Sequence, residues 1–404
     1  MNSKSVLTFA FSIFHFFPLH ARSDIDSKWS EGEHLELGEI GAQKACQEIG
    51  LPPSDCPTNK IYRQDRKLKF TYGELIASAD YYADPDALYK DTDQGIKQVI
   101  TCAKRLRHSH PTHQPHEPKY IDCTLYGVFF VSGFLEIVSQ NYDHFGWQNM
   151  KAYVRLHAKA LQLAKQSYEM RHQSASASAK YLRQALITNA FADHYLSDGF
   201  AAGHVRLPRT QIKRWAKAEL SGPFKETRAD ILAILLHEND GQMFGSQKEF
   251  GLKVQNSRGD RWRTRGDQYL RVDENENDPV FAIPLEAIKK STLEILTAWK
   301  YGRLPEGQFS AAELVPFHVD LSLKEKFSED HQRIPFSSIV DWLHDQLPFF
   351  QQIFAPRSDL ELLFRDIDKI FGDFRKDVAA DLRKHPELKK RLPESYLRAF
   401  ENVD

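Results

Sequence analysis

The sequence has little of what marks several large classes of protein. Its 54 Lys and Arg nearly cancel 55 Asp and Glu, for a formal net charge of −1, so no bulk attraction for a polyanion is expected. Mean hydropathy is −0.52, and beyond the N-terminus no uncharged run approaches the roughly 18 residues of a membrane span. Four cysteines are too few for a disulfide-dominated miniprotein. Present instead are 27 Phe, 15 Tyr and 6 Trp, which do not fit a disordered chain, and 17 histidines in 404 residues.

The first 21 residues are typical of a secretory signal peptide. Lys4 places one positive charge before a mostly apolar, uncharged run from Val6 to Leu19, and Ala21 is the small residue at the predicted cleavage site. The run is too short to cross a bilayer. The alternative is a buried N-terminal helix. We predict that Met1–Ala21 is removed and that the mature protein is secreted or periplasmic, with no transmembrane segment.

Export would permit disulfide bonds. Cys46 and Cys56 flank a turn-forming segment, Gly50-Leu51-Pro52-Pro53, and Cys102 and Cys123 flank a loop rich in His and Pro. Four cysteines allow three pairings. We favour Cys46 with Cys56 and Cys102 with Cys123; free, buried thiols are the alternative.

Apolar residues recur at steps of three and four along most long segments, which predicts an all-α fold. One stripe is Leu182, Leu186 and Ala190, and another runs from Leu363 to Leu382. A joint is predicted at Gly302–Gly307. We therefore expect a multi-helix catalytic domain over 22–303, containing a metal cleft, and a C-terminal helical extension over 304–404. The extension is either a separate module or further helices on the same core.

The first stripe continues into polar residues with the same four-residue spacing, His194 and Asp198. On a helix such a pair has Cβ atoms about 5–6 Å apart, which suits two ligands of one metal ion. Gly199 and Gly203 disfavour helix and could bend the chain so that His204 returns to the pair. Imidazole plus carboxylate without thiolate suits catalytic Zn²⁺. The alternatives are a hydrogen-bonded core histidine and a helix cap.

The segment His194-Tyr-Leu-Ser-Asp198 with His204 resembles the central zinc motif of the zinc-dependent phospholipase C and single-strand nuclease superfamily, whose members are all-helical with a trinuclear zinc cleft. Other elements of that family follow in its order: Trp29-Ser-Glu-Gly-Glu-His34, Ala77-Ser-Ala-Asp80, Asn141-Tyr-Asp143-His144-Phe145 and His237-Glu238-Asn239-Asp240. Asn256-Ser-Arg-Gly-Asp260-Arg-Trp262 and Tyr153-x3-His157 look like the bacterial phosphatidylcholine-hydrolysing branch. The resemblance covers about Trp29 to Asp267.

The resemblance implies two or three Zn²⁺ ions held by eight residues. The first ion would be held by Asp80, His144, His194 and Asp198, the second by His204, His237 and Asp240, and the third by His34 with Asp198 as a bridge.

Two departures from the family pattern leave alternatives open. The family commonly uses its Trp as the mature N-terminal residue, whereas cleavage after Ala21 leaves Trp29 internal, so a third ion needs other ligands or further trimming. The last element usually reads His-x3-Glu/Asp, but Asp240 follows His237 at His-x2-Asp. Glu238 or Asp267 is therefore an alternative to Asp240.

The implied activity is hydrolysis of the glycerol-side phosphodiester of phosphatidylcholine-type phospholipids at a membrane surface, giving diacylglycerol and phosphocholine. Asp80 would orient or deprotonate the water, and Asp198 would bridge the ions. The alternatives are a zinc-dependent single-strand nuclease or nucleotidase, although nucleic acid is not an expected partner at this net charge, and a non-catalytic helical interaction protein. Head-group preference and oligomeric state are not predicted.

Other histidines and arginines lie outside this pattern. The cluster His108, His110, His113 and His116 lies among prolines and is interpreted as a solvated loop. We interpret His157 as a core residue or a support for a ligand. For Arg206 and Arg209, contact with phosphate and a place on the surface are both open.

Overall fold

The computed structural model describes residues 31–63, 67–107, 142–241, 251–266, 269–270, 275–317 and 354–394, together with single positions elsewhere. The predicted signal peptide, Trp29, the four clustered histidines, Cys123 and Asp267 lie outside the described residues.

The described part of the chain is mainly helical, which confirms the all-α fold class. Its helices are α1 (Glu31–Glu48), α2 (Tyr72–Ser78), α3 (Pro85–Lys90), α4 (Asp93–Arg107), α5 (Trp147–Met170), α6 (Ala175–Asp198), α7 (Ala202–Val205), α8 (Arg209–Glu219), α9 (Lys225–Gly241), α10 (Pro279–Tyr301), α11 (Arg357–Lys384) and α12 (Pro386–Lys389). None of these described helices combines the length and apolar content of a membrane span.

Strands are a minor part of the described fold. β1 (Ile61–Tyr62) pairs with β2 (Lys69–Phe70), and β3 (Leu252–Gln255) pairs with β4 (Arg261–Thr264), both antiparallel. In the second hairpin Val254 lies opposite Trp262. These ribbons lie beside the helices, and the candidate ligands lie on helices and turns.

Helix α6 is the central element. Ser174 caps its N-terminus by accepting a hydrogen bond from the backbone N–H of Ala177 at 3.2 Å. Every residue from Ala185 to Asp198 is buried, because α6 packs against α1, α2, α5 and α10. The helix therefore brings its C-terminal polar residues into the protein interior.

Helices α1 and α2 cross closely because glycines face each other. A Cβ atom on Gly38 would lie 2.6 Å from the Cα atom of Gly73, a separation that real Cβ atoms do not reach. The start of α2 is fixed by a capping box, in which Thr71 Oγ1 accepts from Glu74 N and Glu74 Oε2 accepts from Thr71 N. This crossing sets the positions of His34 on α1 and of the chain just after α2.

The stripe predicted from Leu363 to Leu382 is the buried face of α11, and it belongs to the same apolar core as α5, α6 and α10. Polar contacts also attach α11: the indole N–H of Trp147 donates to Asp381 at 3.2 Å, and Trp215 donates to Asp366 at 3.0 Å. The helical part of the C-terminal extension thus packs directly on α5 and α8.

The predicted Cys46–Cys56 disulfide is confirmed. It joins the C-terminal part of α1 to the segment before β1, beside the buried side chain of Leu296. Cys102 is also disulfide-bonded, and its predicted partner Cys123 lies outside the described residues.

Candidate metal centre

The carboxylate of Asp198 lies at the middle of a buried group of histidines. Nδ1 of His144 is 2.8 Å from Oδ2, and Nε2 of His194 is 3.3 Å from the same oxygen. The other oxygen, Oδ1, lies 3.4 Å from Nδ1 of His204 and 3.5 Å from Nε2 of His34. Four imidazoles from different parts of the chain thus converge on one carboxylate.

Separate elements bring these side chains together. His34 is on α1, His144 ends a 3₁₀ turn at Tyr142–His144, and His194 is one helical turn before Asp198 on α6. As predicted, the chain bends after α6, and His204 lies on the short helix α7. The backbone N–H of Gly146 donates to the carbonyl of His204 at 2.7 Å, which ties the bend to the turn that carries His144.

One subset of these residues can hold a metal ion. Ligand atoms of Asp80, His144 and His194 all lie within 4.8 Å of one another. Nε2 of His194 is 3.5 Å from Oδ1 of Asp80 and 3.1 Å from Nδ1 of His144. Asp198 lies beside these three residues, with its Oδ2 atom 2.8 Å from Nδ1 of His144 and 3.3 Å from Nε2 of His194.

A second subset shares His194 with the first. His34, His194 and Asp198 also place ligand atoms within 4.8 Å of one another. The rings of His34 and His194 are 4.5 Å apart between centroids. Asp198 belongs to this group and contacts His144 of the first, so its two oxygens face different ligand sets.

His204 and His237 form the other end of the cluster. Their ring centroids are 5.0 Å apart, and the ring of Phe145 lies 4.6 Å from His204 and 5.8 Å from His237. His237 lies on α9, so this helix also contributes a side chain to the cluster. The structure thus brings His237 beside His204, the residue with which the sequence grouped it.

Asp240 is also beside this end of the cluster, but its carboxylate faces a guanidinium. Arg206 donates from Nε to Oδ2 and from Nη2 to Oδ1, both at 2.8 Å. Arg206 and Asp240 are 1% and 3% exposed, respectively. Arg206 is therefore a buried ion-pair partner and not a surface residue. The side chain of Glu238, one alternative ligand, lies outside what the structure describes, as does Asp267.

The electrostatics of the cluster favour cation binding. Burial alone would raise the pKa of Asp198, but the charges of the adjacent histidines hold that pKa well below its usual range. Burial lowers the pKa of His194 to about 3 and that of His204 to about 4. At His34 burial opposes the charged form, but Asp198 raises the pKa. At neutral pH Asp198 is therefore ionised and His194 and His204 are neutral, so these two imidazoles can share lone pairs with a cation.

Orphaned buried atoms test whether a metal fits. Within the described residues, Nε2 of His34 and Nε2 of His204 are buried and have no hydrogen-bond partner. The 3.5 Å between Nε2 of His34 and Asp198 is longer than an ordinary hydrogen bond. Buried nitrogens without partners are costly unless something binds them. Imidazole and carboxylate donors of this kind can hold a metal ion, and the residues present fit that role.

Two residues discussed from the sequence lie near the cluster without joining it. His157 is buried and bonded to Asn189 Oδ1 at 2.6 Å and to Glu294 Oε2 at 2.8 Å, so it is a hydrogen-bonded core residue. The guanidinium of Arg209 lies over Phe145, 5.3 Å from the ring centroid, and 3.2 Å from Asp230.

The sequence did not single out Ser197, whose hydroxyl lies 2.8 Å from Nδ1 of His34. The available signal was its place inside the central motif, between His194 and Asp198.

Comparison of the chain with protein-family models, with curated proteins and with solved structures finds no match.

Proposed function

We propose that the protein is an exported zinc-dependent phosphodiester hydrolase, a phospholipase C that acts on phosphatidylcholine-type lipids. The observation that carries the proposal is the convergence of His34, His144, His194 and His204 within 3.5 Å of the Asp198 carboxylate. The resemblance of the central motif supplies the substrate class, and the predicted signal peptide supplies the export.

Zinc is the ion that this donor set suits best. Imidazole and carboxylate donors without thiolate are typical of catalytic zinc sites. Under the proposal, Asp80, His144, His194 and Asp198 hold one ion, and His34 with Asp198 contributes to another. His204 and His237 supply two further donors at the far end of the cluster. We assign Asp240 to Arg206, because both its oxygens already accept hydrogen bonds from the guanidinium.

Bound Zn²⁺ would polarise the phosphoryl oxygens and lower the pKa of water toward about 7. The chain's own residues would orient the reaction. Asp80 has a side chain that is 9% exposed, against 1% for Asp198, so its carboxylate is the more exposed of the two. It is suited to accept a proton from the attacking water, while Asp198 stays ionised among its histidines.

The proposed reaction needs only water besides the lipid substrate. The water oxygen forms a bond to phosphorus, and the bond from phosphorus to the glycerol oxygen breaks. The glycerol oxygen leaves as diacylglycerol after it takes up a proton, and phosphocholine is the other product. Asp80 can take the proton from water and return it to solvent.

The test combines metal content with product release. Purified protein is expected to contain at least two zinc equivalents by elemental analysis and to release phosphocholine from phosphatidylcholine liposomes in a chelator-sensitive manner. Cleavage of single-stranded DNA without phosphocholine release would overturn the lipid substrate. Absence of zinc and of both activities would favour a non-catalytic helical interaction protein.

A matched pair of histidine variants tests whether activity depends on the buried cluster. His194→Gln removes a buried ligand and is expected to abolish turnover. His385→Gln removes an imidazole that is exposed and paired with Glu387, and it is expected to retain full activity. Equal activity of the two variants would contradict the proposed site.

A further inference from the structure

We propose that Ser197 is a positioning residue that holds His34 in the tautomer needed for metal binding. The inference rests on the proposed function, because it concerns the ion that His34 and Asp198 would share. Ser197 and His34 are both 0% exposed, so no solvent competes for their hydrogen bonds. Their 2.8 Å contact joins α1 to α6 directly beside the cluster.

The hydroxyl of Ser197 has three close polar neighbours. Oγ lies 2.8 Å from the carbonyl oxygen of Asp193 and 2.9 Å from that of His194, and it also contacts Nδ1 of His34. Both carbonyls can only accept, so the single hydroxyl hydrogen is directed to the backbone of α6. The oxygen lone pairs are then available to accept the N–H of an imidazole.

Metal binding determines where the imidazole proton must be. The nitrogen of His34 that faces Asp198 is Nε2, at 3.5 Å from Oδ1. To bind an ion, Nε2 must carry a lone pair, and a neutral imidazole then carries its proton on Nδ1. Ser197 Oγ accepts a hydrogen bond from that Nδ1–H group, and this bond also restricts rotation of the ring about χ2. The same chain of bonds anchors the ligand to the helix that carries His194 and Asp198.

Removing the hydrogen-bond partner of a metal-binding histidine typically lowers the affinity for the metal by about 10–100-fold. Ser197→Ala is therefore expected to weaken binding of one zinc equivalent by about that factor, measured by competition with a chromophoric chelator. The other equivalents are expected to keep their affinity. Ser197→Thr keeps a hydroxyl that can bond to the backbone of the preceding turn, and it is expected to restore most of the loss.

Ser178→Ala is the matched control. Ser178 lies on the same helix, is buried, and exchanges hydrogen bonds with Ser167, far along α6 from the cluster. It removes one buried hydroxyl from α6 without touching a candidate ligand. Its zinc affinities are expected to equal those of the wild-type protein.

A spectroscopic readout separates positioning from general loss of packing. In zinc-loaded protein labelled with ¹⁵N-histidine, His34 is expected to show the Nδ1–H tautomer, and Ser197→Ala is expected to give an altered Nδ1–H signal. Unchanged zinc affinity in Ser197→Ala, or an Nε2–H tautomer of His34 in the loaded wild-type protein, would overturn the inference and leave the proposed function standing. A wild-type protein that binds no zinc would overturn both.

If Ser197→Ala does not fold, Ser197→Thr decides by itself. A threonine variant with wild-type affinities and the Nδ1–H tautomer supports the inference. A folded threonine variant that shows the Nε2–H tautomer while it retains all zinc affinities contradicts it.

Discussion

The imidazole of His144 lies against the carboxylate of Asp198, with 2.8 Å between Nδ1 and Oδ2. The opposite oxygen of the same carboxylate faces His34 and His204. The Asp198 carboxylate thus contacts histidines on two sides of the cluster. Removing it should therefore affect more than one ion.

Asp198→Asn keeps the volume of the side chain and removes its charge. Because Asp198 would bridge two ions, the variant is expected to lose more than one zinc equivalent and all phosphodiester hydrolysis. Elemental analysis of the purified variant measures this directly. Asp377→Asn, which changes a half-exposed aspartate paired with Arg214, is the control and should keep the full metal content. A loss of one equivalent alone would contradict the bridge.

The ion pair of Arg206 and Asp240 gives a second prediction. Breaking a buried ion pair by removing one partner costs about 3–5 kcal/mol, because the other charge is left buried and unpaired. Asp240→Asn and Arg206→Met are each expected to lower the free energy of unfolding by about this amount, measured by urea denaturation. Glu226→Gln, in the exposed pair with Lys217, should change stability little.

Metal content then distinguishes the two roles of Asp240. Under our assignment the Asp240→Asn protein, where folded, keeps all its zinc. Loss of an equivalent from this variant, with no loss from Arg206→Met, would instead make Asp240 a ligand.

The helices and the arrangement of the central motif could be predicted from the sequence because they depend on residues close to one another in the chain. The interval of four residues from His194 to Asp198 places both on one face of α6 whatever the rest of the chain does. The same argument predicted the buried face of α11. The short disulfide loop from Cys46 to Cys56 was also predictable, since its turn lies between the two cysteines.

The contacts that these residues make with distant parts of the chain could not be predicted from the sequence in the same way. Ser197 and His34 are separated by 163 positions, and His157 and Glu294 by 137. No periodicity within one helix reports which distant helix it faces. Arg206 illustrates the difficulty, because a charged residue just after the motif fits both a surface place and a buried pair until Asp240 is known to face it.

The His157–Glu294 pair predicts a pH dependence of stability. Burial opposes ionisation of Glu294, but the bonds from His157, Ser310 and the backbone N–H of Phe309 lower its pKa below the ordinary 4.5. Burial likewise opposes a charged His157, but Glu294 raises that pKa above the ordinary 6.5. The stability from Glu294 is lost as pH falls through its lowered pKa. The stability from His157 is lost as pH rises through its raised pKa.

Both contributions are fully present between about pH 4.5 and 6.5. Glu294→Gln is therefore expected to be less stable than the wild-type protein by ~2 kcal/mol in this window. The difference should shrink at higher pH. Urea denaturation of both proteins, freed of metal by a chelator, measures this difference across pH. The contribution of the metal-cluster histidines to stability is the same in both proteins and drops out of the difference. Asp193 is an ionisable group whose charge lies near both His157 and Glu294, and burial raises its pKa to about 7, so both proteins are compared on an Asp193→Asn background. A difference that grows with pH would contradict the pairing.

The Cys46–Cys56 bond predicts a loss of stability without a loss of metal. It closes a loop of 10 residues in sequence separation, and by chain entropy such a loop contributes about 3 kcal/mol. Replacing both cysteines by serine should lower the free energy of unfolding by about this amount. Zinc content should stay unchanged, since the bond lies among apolar side chains with Leu296 and contacts no candidate ligand. Loss of zinc in the folded variant would show that the site depends on this loop.

The crossing of α1 and α2 predicts opposite effects for two glycine substitutions. In Gly73→Ala the new methyl group would clash with the backbone of Leu35, next to His34. Overpacking of this kind costs about 1–3 kcal/mol, and the displaced α1 should also weaken binding of the ion at His34. Gly372→Ala, on α11, meets nothing within 4 Å and should stabilise the protein by about 0.5–1 kcal/mol. Thermal denaturation and chelator competition on both variants test the pair, and equal stability of the two would show that the helices can separate without cost.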